Sequence, residues 1–111
     1  MKAFWWVFAV SSLMLGQFAV AAESMPVINL VCKDGLFSPA EIVAPAQTKF
    51  KLVVKNEGGT TEEFESAELN REKIIAPNQS VTIFLGPLPA GSYNFFGEFH
   101  PKTAQGKLIV K

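Results

Sequence analysis

The chain has 111 residues, with ten Lys and Arg balanced by ten Asp and Glu, one His and one Cys. A net charge of zero leaves no electrostatic footprint for nucleic acid or an anionic membrane surface, and a lone thiol excludes an internal disulfide. No zinc-type cysteine cluster, phosphate-binding glycine loop or nucleophile–base triad is present among its motifs.

Residues 1–22 read as a secretory signal rather than as part of a fold. Lys2 supplies the positive end, Ala3 to Leu15 the apolar run, and Ala19-Val20-Ala21-Ala22 the small residues a peptidase requires. Cleavage after Ala21 or Ala22 fits equally well, and an uncleaved anchor is the alternative. Residues 23–111 then form a single domain, large enough for one modest core and rich in Phe.

From there the chain reads as short strands separated by turn residues. Pro26 to Lys33 is the first, with Cys32 as a small buried hydrophobe near its end. Asp34-Gly35 turns the chain, and Phe37 to Ala44 is a second extended segment made irregular by Pro39. Phe50 to Asn56 is the clearest strand, with Phe50, Leu52 and Val54 on one face and Lys51, Val53 and Lys55 on the other.

Glu57 to Thr61 is a loop, Glu62 to Ser66 a short strand, and Glu68 to Glu72 one helical turn or an irregular excursion. Lys73 to Ala76 is extended, Pro77-Asn78-Gln79 turns, and Ser80 to Leu85 alternates with Val81, Ile83 and Leu85 on one face. Gly86 to Gly91 connects to Ser92–Phe96, and Lys107–Lys111 closes the set. Seven or eight strands result, typical of a sandwich or barrel.

This pattern resembles the cupredoxin fold. The residues that carry the likeness are Phe37-Ser38-Pro39, the strand ending in Asn56, the Gly-rich loop before Glu62, and the Pro77 turn. Leu88-x-x-Gly91-x-Tyr93-x-Phe95 and the closing Gly106-Lys107-Leu108-Ile109-Val110 complete it. The resemblance implies an all-β, antiparallel Greek-key β-sandwich. In blue-copper members the first histidine ligand falls near Glu62 or Glu63, the cysteine at Gly97, the second histidine at His100, and the axial methionine near Ala104 or Gln105. Only His100 is kept. A blue-copper centre needs a copper-bound thiolate, so none is expected with Gly97 at that position.

A narrower likeness lies in Glu63-Phe64-Glu65, Gly97-Glu98-Phe99-His100 and Ala104-Gln105-Gly106-Lys107-Leu108. These look like the small periplasmic cupredoxin-like domains that accompany the high-affinity bacterial iron permease, in which acidic residues replace histidine and cysteine. That resemblance implies a periplasmic protein that binds iron or copper. It would bind Fe(II), or help oxidise it, for delivery to a membrane permease.

Carboxylate and imidazole suit Fe, Mn, Zn and Cu(II), and anionic oxygen favours Fe(III). Glu98 and His100 are two apart and share a side if the backbone stays extended. Glu63 and Glu65 are also two apart, with Phe64 opposite. The expected metal site is therefore His100, Glu98, Glu63 and Glu65, with Glu62 a weaker candidate. Against this stand two plainer readings: a solvated acidic face, and a histidine that is only a polar loop residue. The competing functions are a copper carrier or electron-transfer protein without a blue-copper centre, and a metal-free interaction module.

Overall fold

The computed structural model describes residues 24–111, so the signal assigned to residues 1–22 lies outside the described residues. Nine strands follow in order: β1 (Val27–Lys33), β2 (Leu36–Ser38), β3 (Glu41–Ala44), β4 (Phe50–Asn56), β5 (Glu62–Ser66), β6 (Arg71–Ile75), β7 (Ser80–Leu85), β8 (Gly91–Gly97) and β9 (Gln105–Val110). There is no helix among the described residues. The strands make two sheets, β2-β1-β4-β7 and β3-β9-β8-β5-β6.

The all-β sandwich expected from the sequence is the fold, with two refinements. Both sheets are mixed, because β1 runs parallel to β4 and β3 runs parallel to β9. The extended stretch over residues 37–44 is two strands. Pro39 cannot donate to a ladder, and there the chain leaves one sheet at β2 and enters the other at β3. Asp34 and Gly35 both adopt positive φ, 50° and 76°, which is the turn that suits a two-residue hairpin between β1 and β2. Ala67 to Asn70 forms a turn closed by Asn70 N–H on Ala67 C=O, so the segment before β6 is the irregular excursion.

The core lies between the sheets. Phe50, Leu52 and Val54 of β4 are fully buried, as their alternation requires, and they face Phe64, Ile75, Phe95, Leu108 and Val110. Phe64 stacks on Phe95 at 5.1 Å between ring centroids, and Phe37 meets Phe95 edge-on at 5.2 Å. Gly106 pairs with Phe95 across β8 and β9, and the Phe95 ring occupies the space over it. A Cβ at position 106 would lie 2.3 Å from two ring carbons of Phe95.

Two polar anchors hold the sandwich edges. Asn56 is buried at the end of β4, and its amide donates to Thr60 C=O and Ile75 C=O at 2.8 and 2.9 Å while its oxygen accepts from Gly58 N–H at 2.9 Å. It therefore shapes the loop that delivers the chain to β5. Arg71 of β6 reaches the other sheet and donates to Phe84 C=O in β7 at 3.2 Å.

Candidate metal centre

Strand β5 has the sequence Glu62-Glu63-Phe64-Glu65-Ser66, and one residue sets its phase. Phe64 belongs to the core, so its neighbours two residues away, Glu62 and Ser66, share its inward face, while Glu63 and Glu65 point outward. A carboxylate on the inward face is costly unless hydrogen-bonded. Glu62 is 3% exposed and has three donors. His100 Nδ1 lies 2.5 Å from its Oε2, and the backbone N–H groups of Phe99 and Glu63 donate to Oε1, each at 3.1 Å.

Gly97 closes this pocket from β8, opposite Phe64. A Cβ there would stand 2.7 Å from the Glu62 carboxyl group and 2.8 Å from Ala104 Cβ. The loop after Gly97 turns tightly: His100 N–H donates to Gly97 C=O at 3.1 Å and Ala104 N–H to His100 C=O at 2.8 Å. Glu62, Gly97, His100 and Ala104 therefore meet at one end of the sandwich, and the Glu62 side chain fills the space beside Gly97. These residues do not fit a blue-copper ion. The thiolate position is a glycine with no room for a side chain. The single thiol, Cys32, is buried, and burial followed by the nearby negative charge of Glu62 pushes it up to about 11. A thiol held there stays protonated at neutral pH and is a poor metal ligand.

The second group of carboxylates lies on the outward face of β5. Glu65 sits directly opposite Glu72 of β6, and Glu98 N–H donates to Glu63 C=O at 2.9 Å. Ligand oxygens of Glu63, Glu65 and Glu72 all come within 4.8 Å of one another. Glu63 is pushed up to about 7, first by a hydrogen bond with Glu72, then by desolvation and by the charges of Glu72, Glu65 and Glu98. Glu65 is raised as well, first by a hydrogen bond with Glu98. Carboxylates at such spacing cannot all ionise, so the cluster retains protons that isolated groups would lose.

This proton retention has a sign in the stability of the metal-free protein. The folded state holds the Glu63 proton up to about 7, whereas the unfolded chain releases it near 4.5. Stability therefore falls as pH rises through that window, and the penalty is absent below it. Glu63→Gln removes the penalty. Its denaturation midpoint is expected to exceed that of the wild type at neutral pH and to converge with it at about pH 4, below the unfolded value. Parallel midpoints at both pH values would contradict the shared-proton account.

The four residues expected from the sequence thus fall in two places. Glu63, Glu65 and Glu98 come together, joined by Glu72 from β6. His100 stands apart from them against Glu62. Glu98 and His100 do not share a face, because the strand ends at Gly97 and the backbone turns where an extended run was expected. Glu72 has no local sequence signal, since only the β5–β6 register brings it to Glu65. Glu62 did have one, in its spacing of two from Phe64.

A family model described as "Cupredoxin-like domain" matches residues 2–110. An uncharacterized protein of Rickettsia prowazekii (strain Madrid E) is 46% identical over 83 residues, covering 75% of this chain and 66% of that protein's length. Among solved structures, auracyanin A, a "blue" copper protein of Chloroflexus aurantiacus, superposes with a TM-score of 0.63 at 16% identity, covering 77% of this chain and 98% of that one. A reduced amicyanin variant gives 0.64 at 15% identity, covering 77% and 82%. The metal-binding domain of the Cu(I)-exporting P-type ATPase CopA of Streptococcus pneumoniae D39, with Cu(I), gives 0.64 at 17% identity, covering 77% and 84%. At these identities the structural likeness speaks for the fold.

Proposed function

Because this chain belongs to the cupredoxin-like domain family, we propose that it is an exported metal-binding member that takes iron, or Cu(II), through oxygen donors in place of thiolate. The observation that carries this reading is the convergence of Glu63, Glu65, Glu72 and Glu98 on one face. Among the described residues no Lys or Arg forms an ion pair with any of them. Clustered anionic oxygens favour hard, highly charged cations, Fe(III) above all, and make Cu(I) a poor match. Binding Fe(III) more tightly than Fe(II) makes bound Fe(II) easier to oxidise by an external acceptor.

The place of the protein in the cell follows from the same reading. The leader over residues 1–22 supports a periplasmic location, and the Glu63-Phe64-Glu65 and Gly97-Glu98-Phe99-His100 motifs support a role in passing iron to a membrane permease. A copper carrier is the second reading, favoured by the Cu(I)-bound domain among the structural neighbours. It is weakened by the absence of any thiolate or thioether at Gly97 and Ala104.

Titration of the metal-free protein with Fe(III), Fe(II) and Cu(II) under matched conditions tests the assignment. Glu65→Gln with Glu98→Gln is expected to weaken Fe(III) binding by a factor of ten or more, about 1.4 kcal/mol for each tenfold. Affinity of the wild type should rise with pH through about 7 as Glu63 gives up its proton. Unchanged iron and copper affinity in the double variant would favour the metal-free interaction module. Loss of iron uptake in cells carrying the double variant would tie the site to transport.

A further inference from the structure

The charges of this chain balance in sum but not in place. Lys49, Lys51 and Arg71 gather around the exposed ring of Phe84, and among the described residues none of the three forms an ion pair. We propose that the groove between the free edge of β7 and the start of β6 binds a phosphate ester with an apolar substituent. This goes beyond the carboxylate site on the outward face of β5 and does not depend on it.

The groove has a volume of about 330 Å³ and is lined by Met25, Lys49, Arg71, Phe84, Leu85 and Gly86, so it holds cations and apolar side chains but no carboxylate. Glu72, the residue after Arg71, points to the other face of β6, toward Glu65. Arg71 is held in place. Its Nη1 donates to Leu69 C=O and Asn70 C=O at 3.2 and 3.0 Å, and its Nη2 donates to Phe84 C=O at 3.2 Å. These carbonyls orient the guanidinium without neutralising it, and its Nε–H has no partner among the described residues. Lys49 is brought alongside by its backbone, since a Cβ at Gly86 would lie 3.3 Å from Lys49 Cα.

The edge of β7 adds a backbone donor. Lys51 N–H donates to Pro26 C=O, away from β7, so Lys51 and Phe84 share no ladder bonds although they lie opposite each other. Phe84 N–H and C=O therefore both point off the free edge, where Arg71 takes the C=O and the N–H is left open. Phe84 N–H, Arg71 and Lys49 together offer two positive charges and a neutral donor. That set matches a phosphate monoester, which carries about −2 near neutral pH. The apolar wall is Met25, Leu85 and Phe84, the last 58% exposed with Lys51 Nζ 5.8 Å from its ring centroid. Inorganic phosphate would leave that wall wet, whereas an alkyl or aryl substituent covers it.

Hexyl phosphate is the probe, read by amide proton–nitrogen correlation spectra of the protein. Its addition is expected to shift the Phe84 amide most among the backbone signals, with an affinity that falls as salt is added. Inorganic phosphate and hexanol each carry half of the ligand and should bind about tenfold more weakly, or less. Arg71→Ala would also untie β6 from β7, so the variant is Lys49→Glu, a change at an exposed side chain. It should weaken hexyl phosphate binding about tenfold or more. Glu65→Gln with Glu98→Gln should leave the Phe84 shift intact even where it abolishes iron binding, which separates this site from the carboxylate cluster. Vesicles containing phosphatidic acid present the same head group at a bilayer. Co-sedimentation with them would assign a lipid as the natural source, and its absence a soluble ester. No Phe84 shift at saturating hexyl phosphate, equal affinity for inorganic phosphate, or unchanged affinity in Lys49→Glu would overturn the proposal.

Discussion

Gly106→Ala is expected to lower the stability of the protein by about 3 kcal/mol, the upper range for forcing a methyl into a packed interior. The added Cβ would stand 2.3 Å from Cε2 and Cζ of Phe95 and 3.0 Å from Ala40 C=O. Neither neighbour can give way cheaply. Phe95 is wedged between Phe64 and Phe37, and Ala40 C=O accepts the Lys107 N–H at 2.8 Å where β3 meets β9. Relief would require the Phe95 ring to swing out of the aromatic trio, which opens a cavity in the core. Urea denaturation measures the loss. A change under about 1 kcal/mol would mean that the ring has a second unstrained position.

Asn56→Ala is expected to cost about 2–3 kcal/mol, because it removes three hydrogen bonds, two buried and one part-buried, and leaves their partners in place. Thr60 C=O, Ile75 C=O and Gly58 N–H would each have to find water or stay unpaired. Asn56→Asp is the sharper version. It keeps the size and the acceptor for Gly58, but it cannot donate, and it sets a carboxylate against two carbonyl oxygens. Equal or greater loss for Asp than for Ala would locate the effect in the two donated bonds. Both variants loosen the loop over residues 57–61, so they should also weaken the register that sets Glu62 against His100.

Much of the sandwich was legible because its strands alternate cleanly. Phe50, Leu52 and Val54 announce an inward face, and Val81, Ile83 and Leu85 announce another. The parallel pairings were not legible. The β3–β9 pairing requires the chain to change sheets at Pro39, and a proline in an extended run signals an interruption without saying where the chain goes next. The candidate site was half legible. Motif and spacing single out Glu63, Glu65 and Glu98, but Glu72 owes its place to register alone. Extended backbone past Gly97 would group His100 with Glu98, whereas the hydrogen bonds from His100 and Ala104 curl that segment. Glu62 is the weaker candidate on sequence, although Phe64 two residues on fixes its direction toward the core.

The position of β9 has a consequence for the order of assembly. Within the five-stranded sheet, β3 is joined to the β8-β5-β6 group only through β9. During synthesis β3 must wait, unpaired on that side, until nearly all of the remaining strands have been made. Until then β8 presents an open edge, with Phe95 unsheltered by Gly106. Pairings between such distant segments are slow, because loop closure precedes any reward from contact. The nascent chain therefore cannot complete this sheet early. Until β9 is made, the open edge of β8 is the part of this sheet most exposed to mispairing.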